Sequence, residues 1–228
     1  SLGCMYDKGT VVEQSYEKAA KWYLKAAEQG LARAQNHLGN MYRNGRGVEQ
    51  SFEKAAEWFL KAAEQGFARA QCNLGVMYEN GRGVEQSDEK AAEWFLKAAE
   101  QGLAHAQCKL GFMYYTGTGV EQSYKKALEW FLKATEQGDA TAQDNLGIMY
   151  YIGRGVERSY KKAVEWFQKA AKQGLAVAQY HLGDMYYFGT GVEQSDEKAR
   201  EWFLKAADQG NEDAIKALDR LDRLNRWW

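Results

Sequence analysis

The chain contains no proline in its 228 residues. No segment therefore reads as a proline-rich linker, a kinked helix or a polyproline recognition tail. Neither sign of charge is in excess, since 30 Lys and Arg face 31 Asp and Glu. Nothing in that balance draws the chain to nucleic acid or to an anionic membrane. No apolar run approaches the roughly 20 residues a spanning helix needs, so no membrane insertion is expected. No signal peptide is visible. Cysteine is scarce and odd in number, at Cys4, Cys72 and Cys108. That makes a poor disulfide framework and fits a reducing compartment. The sequence opens at Ser1 within a repeat and without an initiator methionine. The expectation is that the natural chain starts earlier, and that any targeting segment lies there.

What is abundant is period. Trp22, Trp58, Trp94, Trp130, Trp166 and Trp202 recur every 36 residues, and all six Met share one repeat position, from Met5 to Met185. The 23 Gly fall on only four repeat positions, with Val11 replacing the fourth in the first copy. A fixed period of this length is the signature of a solenoid. In the type repeat, Ala34, Leu38, Met41 and Tyr42 share one helical face, defining helix A over about 32–44. Ala55, Trp58, Phe59, Ala62 and Ala63 define helix B over about 52–65. Ser51 is placed as the N-cap of helix B and Gly66 as its left-handed C′ residue. Glu57 precedes Lys61 by four residues, an ion-pair register repeated through Glu201–Lys205. Gly39, inside helix A, costs roughly 1 kcal/mol against Ala and implies close approach to helix B, beneath Trp58. The last helix carries Asp219 at that position and reads as a polar cap.

The expected fold class is all-α, an α/α solenoid of 36-residue helix–turn–helix repeats in one domain of about six repeats. A truncated first repeat covers 1–30. Full repeats cover 31–66, 67–102, 103–138, 139–174 and 175–210, and a capping helix covers 211–228. LGNMYRNGRGV followed by EKAAEWFLKAAEQG, Leu38 to Gly66 and its counterparts, resembles the Sel-one-like repeat (SLR) family, related to tetratricopeptide (TPR) repeats. The resemblance implies the right-handed superhelix, helix A lining its concave side, and a scaffold or adaptor role. A cysteine-rich branch of that family is linked to β-lactam binding. This chain lacks its paired cysteines, so a hydrolase is only an alternative reading. A designed or purely structural array is another, prompted by VEQS recurring unaltered in five of six turns, with VERS in the other.

Positions that vary between copies of helix A mark the candidate binding stripe, for a protein or peptide partner. In order they offer Arg33, Asn36, Asn40, Arg43 and Asn44, then Arg69, Cys72, Val76, Glu79 and Asn80. His105, Cys108, Phe112, Tyr115 and Thr116 follow, then Thr141, Asp144, Ile148, Tyr151 and Ile152. Val177, Tyr180, Asp184, Tyr187 and Phe188 complete the stripe. It runs from basic and polar to aromatic. Tyr115, Tyr151 and Tyr187 are expected to form a row, either as anchors for a partner or as packing between A helices. Arg33, Arg43 and Arg69 would pair with acidic groups.

Other signals are weaker. The GRG and GTG turns lack the strand and the Lys-Ser/Thr of a phosphate loop and read as tight interhelical turns. His105, Cys108 and Cys72 lack a fourth ligand, so no metal and no cofactor is expected. His37 and His181 read as members of a solvated edge. No His recurs beside a nucleophile and an orienting acid, so no enzyme is expected. The six repeat Trp read as core anchors. Trp227 and Trp228 lie outside the repeat. An incomplete first helix raises end-to-end self-association as a possibility.

Overall fold

The computed structural model describes residues 2–10 and 12–225. Val11, Trp227 and Trp228 lie outside the described residues. Within these there are thirteen helices and no strand. The chain forms two compact units, Ser1–Gln122 and Ser123–Trp228.

The first unit holds α1 (Leu2–Lys8), α2 (Tyr16–Glu28), α3 (Ala32–Asn44), α4 (Phe52–Glu64), α5 (Ala68–Asn80), α6 (Asp88–Glu100) and α7 (Ala104–Thr116). The second holds α8 (Tyr124–Glu136), α9 (Ala140–Ile152), α10 (Tyr160–Lys172), α11 (Ala176–Phe188), α12 (Asp196–Ala207) and α13 (Glu212–Asn225). In each unit every helix packs on the next in sequence, the nearest-neighbour pattern of a solenoid.

The helix ends follow from the repeated residues. Ser51 Oγ accepts from the Lys54 N–H at 3.2 Å, and the equivalent serines do the same at each B helix, as at Ser87 and Ser195. At the far end the Phe67 N–H donates to the Ala62 carbonyl at 3.1 Å and the Gly66 N–H to Ala63 at 2.9 Å. Gly66 has φ +84°, so the helix closes in a Schellman motif. The constancy of VEQS has a structural cause. Gln50 Nε2 donates to the last-turn carbonyl of Arg43 at 2.8 Å, the Ser51 N–H donates to Tyr42, and Ser51 then caps α4. Three polar groups at one turn are satisfied by two adjacent residues.

The core differs from expectation in one respect. Gly39 lies beneath Phe59, not Trp58: a Cβ on Gly39 would stand 2.7 Å from the Phe59 ring. Phe59, Phe95, Phe131 and Phe203 are fully buried. The six repeat tryptophans are half-buried or exposed, and Trp22 is 40% exposed. Trp58, Trp94 and Trp202 each pack on the core cluster of the preceding repeat. Their outer faces carry a lysine: Lys61, Lys97, Lys133 and Lys169 lie 4.3, 4.1, 4.1 and 3.9 Å from the indole centroids three residues earlier. The Glu–Lys register is thereby overtaken by cation–π stacking. Among the described residues it closes as an ion pair at Glu201–Lys205, 2.6 Å, where Lys205 also covers Trp202 at 4.2 Å.

Candidate interaction surface

The A helices change character along the chain. α3 is amphipathic, whereas α7, α9 and α11 carry apolar residues on both faces. An A helix buries one stripe, Leu146 and Met149 in α9 for example. Of its other apolar residues, some pack half-buried on the neighbouring core, as Ile148 and Tyr150 do, and some face solvent. In the second unit these are Tyr151 (44% exposed), Ile152 (46%), Val177 (39%) and Phe188 (61%), and in the first unit Phe112 (47%). Tyr151, Ile152 and Phe188 lie at the C-terminal ends of α9 and α11, Val177 in the first turn of α11 and Phe112 within α7.

The other candidate residues divide into three groups. Arg33, Arg69 and His105 are exposed, whereas Asn40, Arg43, Val76, Tyr115, Ile148, Tyr180, Asp184 and Tyr187 are half-buried. Asn36 and Asp144 are each only 5% exposed. These last two are corrected from surface to interior: they lie between successive A helices of a unit and bond across the step. Asn73 Nδ2 donates to Asn36 Oδ1 at 2.9 Å, and His181 Nδ1 meets Asp144 Oδ1 at 2.9 Å. Cys72 and Cys108 fill the same buried repeat position, and no disulfide joins the cysteines among the described residues. Burial raises the Cys72 thiol to about 11. Among the described residues no group of three or more His, Cys, Asp or Glu lies together to hold a metal.

The tyrosines do not share one environment. Tyr151 is open and tilts against Tyr160 at 5.4 Å. Tyr187 packs on the buried cluster around Phe203 and meets Phe188 edge-on at 4.8 Å. Tyr115 belongs to the first unit. The histidines are corrected too: His37 stacks on Tyr23 at 4.8 Å, and His181 is the partner of a buried acid. Tyr180 donates to Asp184, whose carboxyl is raised from its ordinary value by burial, against the lowering effect of this bond and of His181.

At the start of the chain, Leu2, Trp22, Tyr23, Leu31 and Arg33 line a cavity of about 450 Å³. Tyr23 stands where later repeats have Phe, its hydroxyl is buried with the Cys4 thiol as neighbour, and burial raises its pKa.

Removing His181 leaves the buried Asp144 carboxylate without its donor, so His181→Ala should cost about 1–3 kcal/mol. The pair Asp144→Asn with His181→Asn, copying Asn36–Asn73, should recover most of that loss in urea denaturation. Equal stability of His181→Ala and wild type would mean that the pair contributes nothing.

This geometry defines an α/α repeat protein with a variable A-helix face. Six segments, 1–31, 32–67, 68–103, 104–139, 140–175 and 176–211, match the Sel1 repeat. The chain belongs to the Sel1 repeat family. Among curated proteins none matches it. Among solved structures it is similar to a protective antigen of uropathogenic Escherichia coli strains with an SLR fold: 43% identity, TM-score 0.86, over 93% of this chain and 46% of that one. The chain thus spans about half the length of that antigen. It is similar also to a Sel1 repeat protein from Oxalobacter formigenes, at 38% identity and TM-score 0.88, over 95% of this chain and 84% of the other. An immunity protein from Pseudomonas aeruginosa shares the fold at 20% identity and TM-score 0.61, over 93% of this chain and 83% of its own. No helix among the described residues is long and apolar enough to cross a membrane.

Proposed function

We propose that the chain is a protein-interaction scaffold that binds a peptide or partner protein on the variable face of its A helices. The carrying observation is the exposed apolar set on α9 and α11: Tyr151, Ile152 and Phe188 stay open while the opposite face of each helix is filled. Large, stiff side chains left in water gain most from being covered. A binding role accords better than catalysis with the cysteine chemistry, since a buried thiol held protonated is a poor nucleophile. Family membership supports the same reading, as Sel1 repeats generally serve protein interaction.

The test is affinity capture compared between wild type and Tyr151→Ser/Ile152→Ser/Phe188→Ser. Exposed positions should change stability by only about 0.5 kcal/mol each. A protein retained by the wild type and lost by the variant, with both chains melting alike, is the expected result. Undiminished capture by the variant would remove the second unit's apolar face from the reading.

A further inference from the structure

The first unit carries a cluster of cations that its fold positions but does not neutralise. Arg43 comes from the last turn of α3, Arg46 from the turn that follows, and Arg82 from the matching turn after α5. All three line one open cavity of about 530 Å³, walled by Phe52, Val76 and Met77, and none of its lining residues is acidic.

Each guanidinium is held by an uncharged group. Arg46 lies 5.7 Å from the Tyr16 ring centroid and Arg82 5.6 Å from that of Phe52. Arg43 donates to Asn73 Oδ1 at 3.2 Å and lies 5.8 Å from the Phe59 centroid. Asn73 in turn donates to the buried Asn36 at 2.9 Å, so Arg43 is the outer end of an amide chain rooted in the core. Among the described residues none of the three arginines forms an ion pair.

The next step of the same unit shows what the fold does when it neutralises this slot. There Glu79 replaces Arg43 and Lys109 replaces Asn73, and the two close at 2.8 Å. The slot can hold a balanced pair, and between α3 and α5 it holds an unbalanced arginine. Burial lowers the pKa of Arg43 from its ordinary value, the sign of a cation short of compensating charge.

We propose that this cavity binds a phosphate-monoester dianion, presented on a side chain of a peptide partner. The partner's peptide nature rests on the scaffold reading above; the anion site stands on the three arginines. A phosphoryl group carries nearly two charges and three acceptor oxygens. Three guanidinium forks match it, whereas one carboxylate occupies only one fork. Phe52, Val76 and Met77 take the stem that carries the phosphate.

Calorimetric titration of the full chain with phenyl phosphate tests the site. Saturable 1:1 binding that weakens with salt is expected, with benzoate at least about tenfold weaker, a difference of 1.4 kcal/mol. Arg46→Gln/Arg82→Gln, both exposed positions, should lose at least about tenfold at unchanged melting temperature. Asn73→Glu should also lose binding without removing an arginine, by setting a carboxylate against Arg43. Absence of saturation, equal binding by the arginine variant, or benzoate matching phenyl phosphate would overturn the proposal. A phosphotyrosine peptide should bind more tightly than phenyl phosphate; if it does not, the peptide carrier is wrong. None of these outcomes touches the capture assay on the second unit, so the two readings fail separately.

Discussion

Phe95→Ala lowers the stability of the chain by about 3–5 kcal/mol, and its neighbour Trp94→Ala lowers it by about 1–2 kcal/mol. The order is the reverse of side-chain size. Phe95 has no exposed surface, and a Cβ on Gly75 would meet its ring at 2.8 Å. Helix A has been shaved to glycine to let this ring in, so truncation leaves a cavity that neighbours cannot fill without moving two helices. Trp94 is half-buried, lies on the preceding repeat's cluster and offers its outer face to Lys97 at 4.1 Å. Its loss strips one face of contact and a solvent-exposed cation–π pair. Urea denaturation of both variants decides the matter. Equal losses, or a larger one for tryptophan, would restore Trp as the anchor.

Element positions, caps and the Schellman ends were legible in the sequence because each depends on residues a few places apart. Ser51, Gly66 and the apolar faces are local signals, and period multiplies them. Which ring fills the core was not. Trp recurs in all six copies, whereas the next position is Phe in five and Tyr23 in the first, so constancy points to Trp. At 100° per residue Phe59 falls in the middle of the face made by Ala55, Ala56, Ala62 and Ala63, and Trp58 falls at its edge. Indole also carries an N–H that needs a partner or water. The GRG turns that carry Arg46 and Arg82 lack the strand and Lys-Ser/Thr of a phosphate loop, so nothing local marks these arginines. Convergence of two turns on one cavity needs the step between repeats, which periodicity gives without its rise or rotation.

The burial of Asn36 and Asp144 is hidden for a related reason. Variation between copies suggests exposure. In the structure it marks pairing, since what stands at 36 and 144 is matched at 73 and 181 as amide with amide and acid with imidazole. A comparison of positions 37 apart, in place of 36, exposes those matches. A comparison of positions 30 apart shows Glu79 facing Lys109, where Arg43 faces the uncharged Asn73. The charge left over there belongs to the cavity that Arg46 and Arg82 also line.

Gly83→Ala destabilises the chain by clearly more than Gly102→Ala, although both glycines have positive φ, +70° and +85°. Alanine in the left-handed region costs about 1–2 kcal/mol at either site. At Gly102 a Cβ meets nothing within 4 Å, so that cost is the whole effect. At Gly83 it lands on the backbone of Phe52 and lies 2.6 Å from the Glu53 nitrogen, at the start of the preceding repeat's B helix. The turn must retreat, adding about 1–3 kcal/mol of overpacking. Retreat also carries Arg82 away from the Phe52 ring, so phenyl phosphate binding should fall in Gly83→Ala and persist in Gly102→Ala. Denaturation and titration of the pair separate local backbone strain from the step between repeats. Matching losses in both variants would mean that the second glycine of the turn serves only the turn. A larger loss at Gly83, with weaker anion binding, would tie the packing of successive repeats to the geometry of the arginine site.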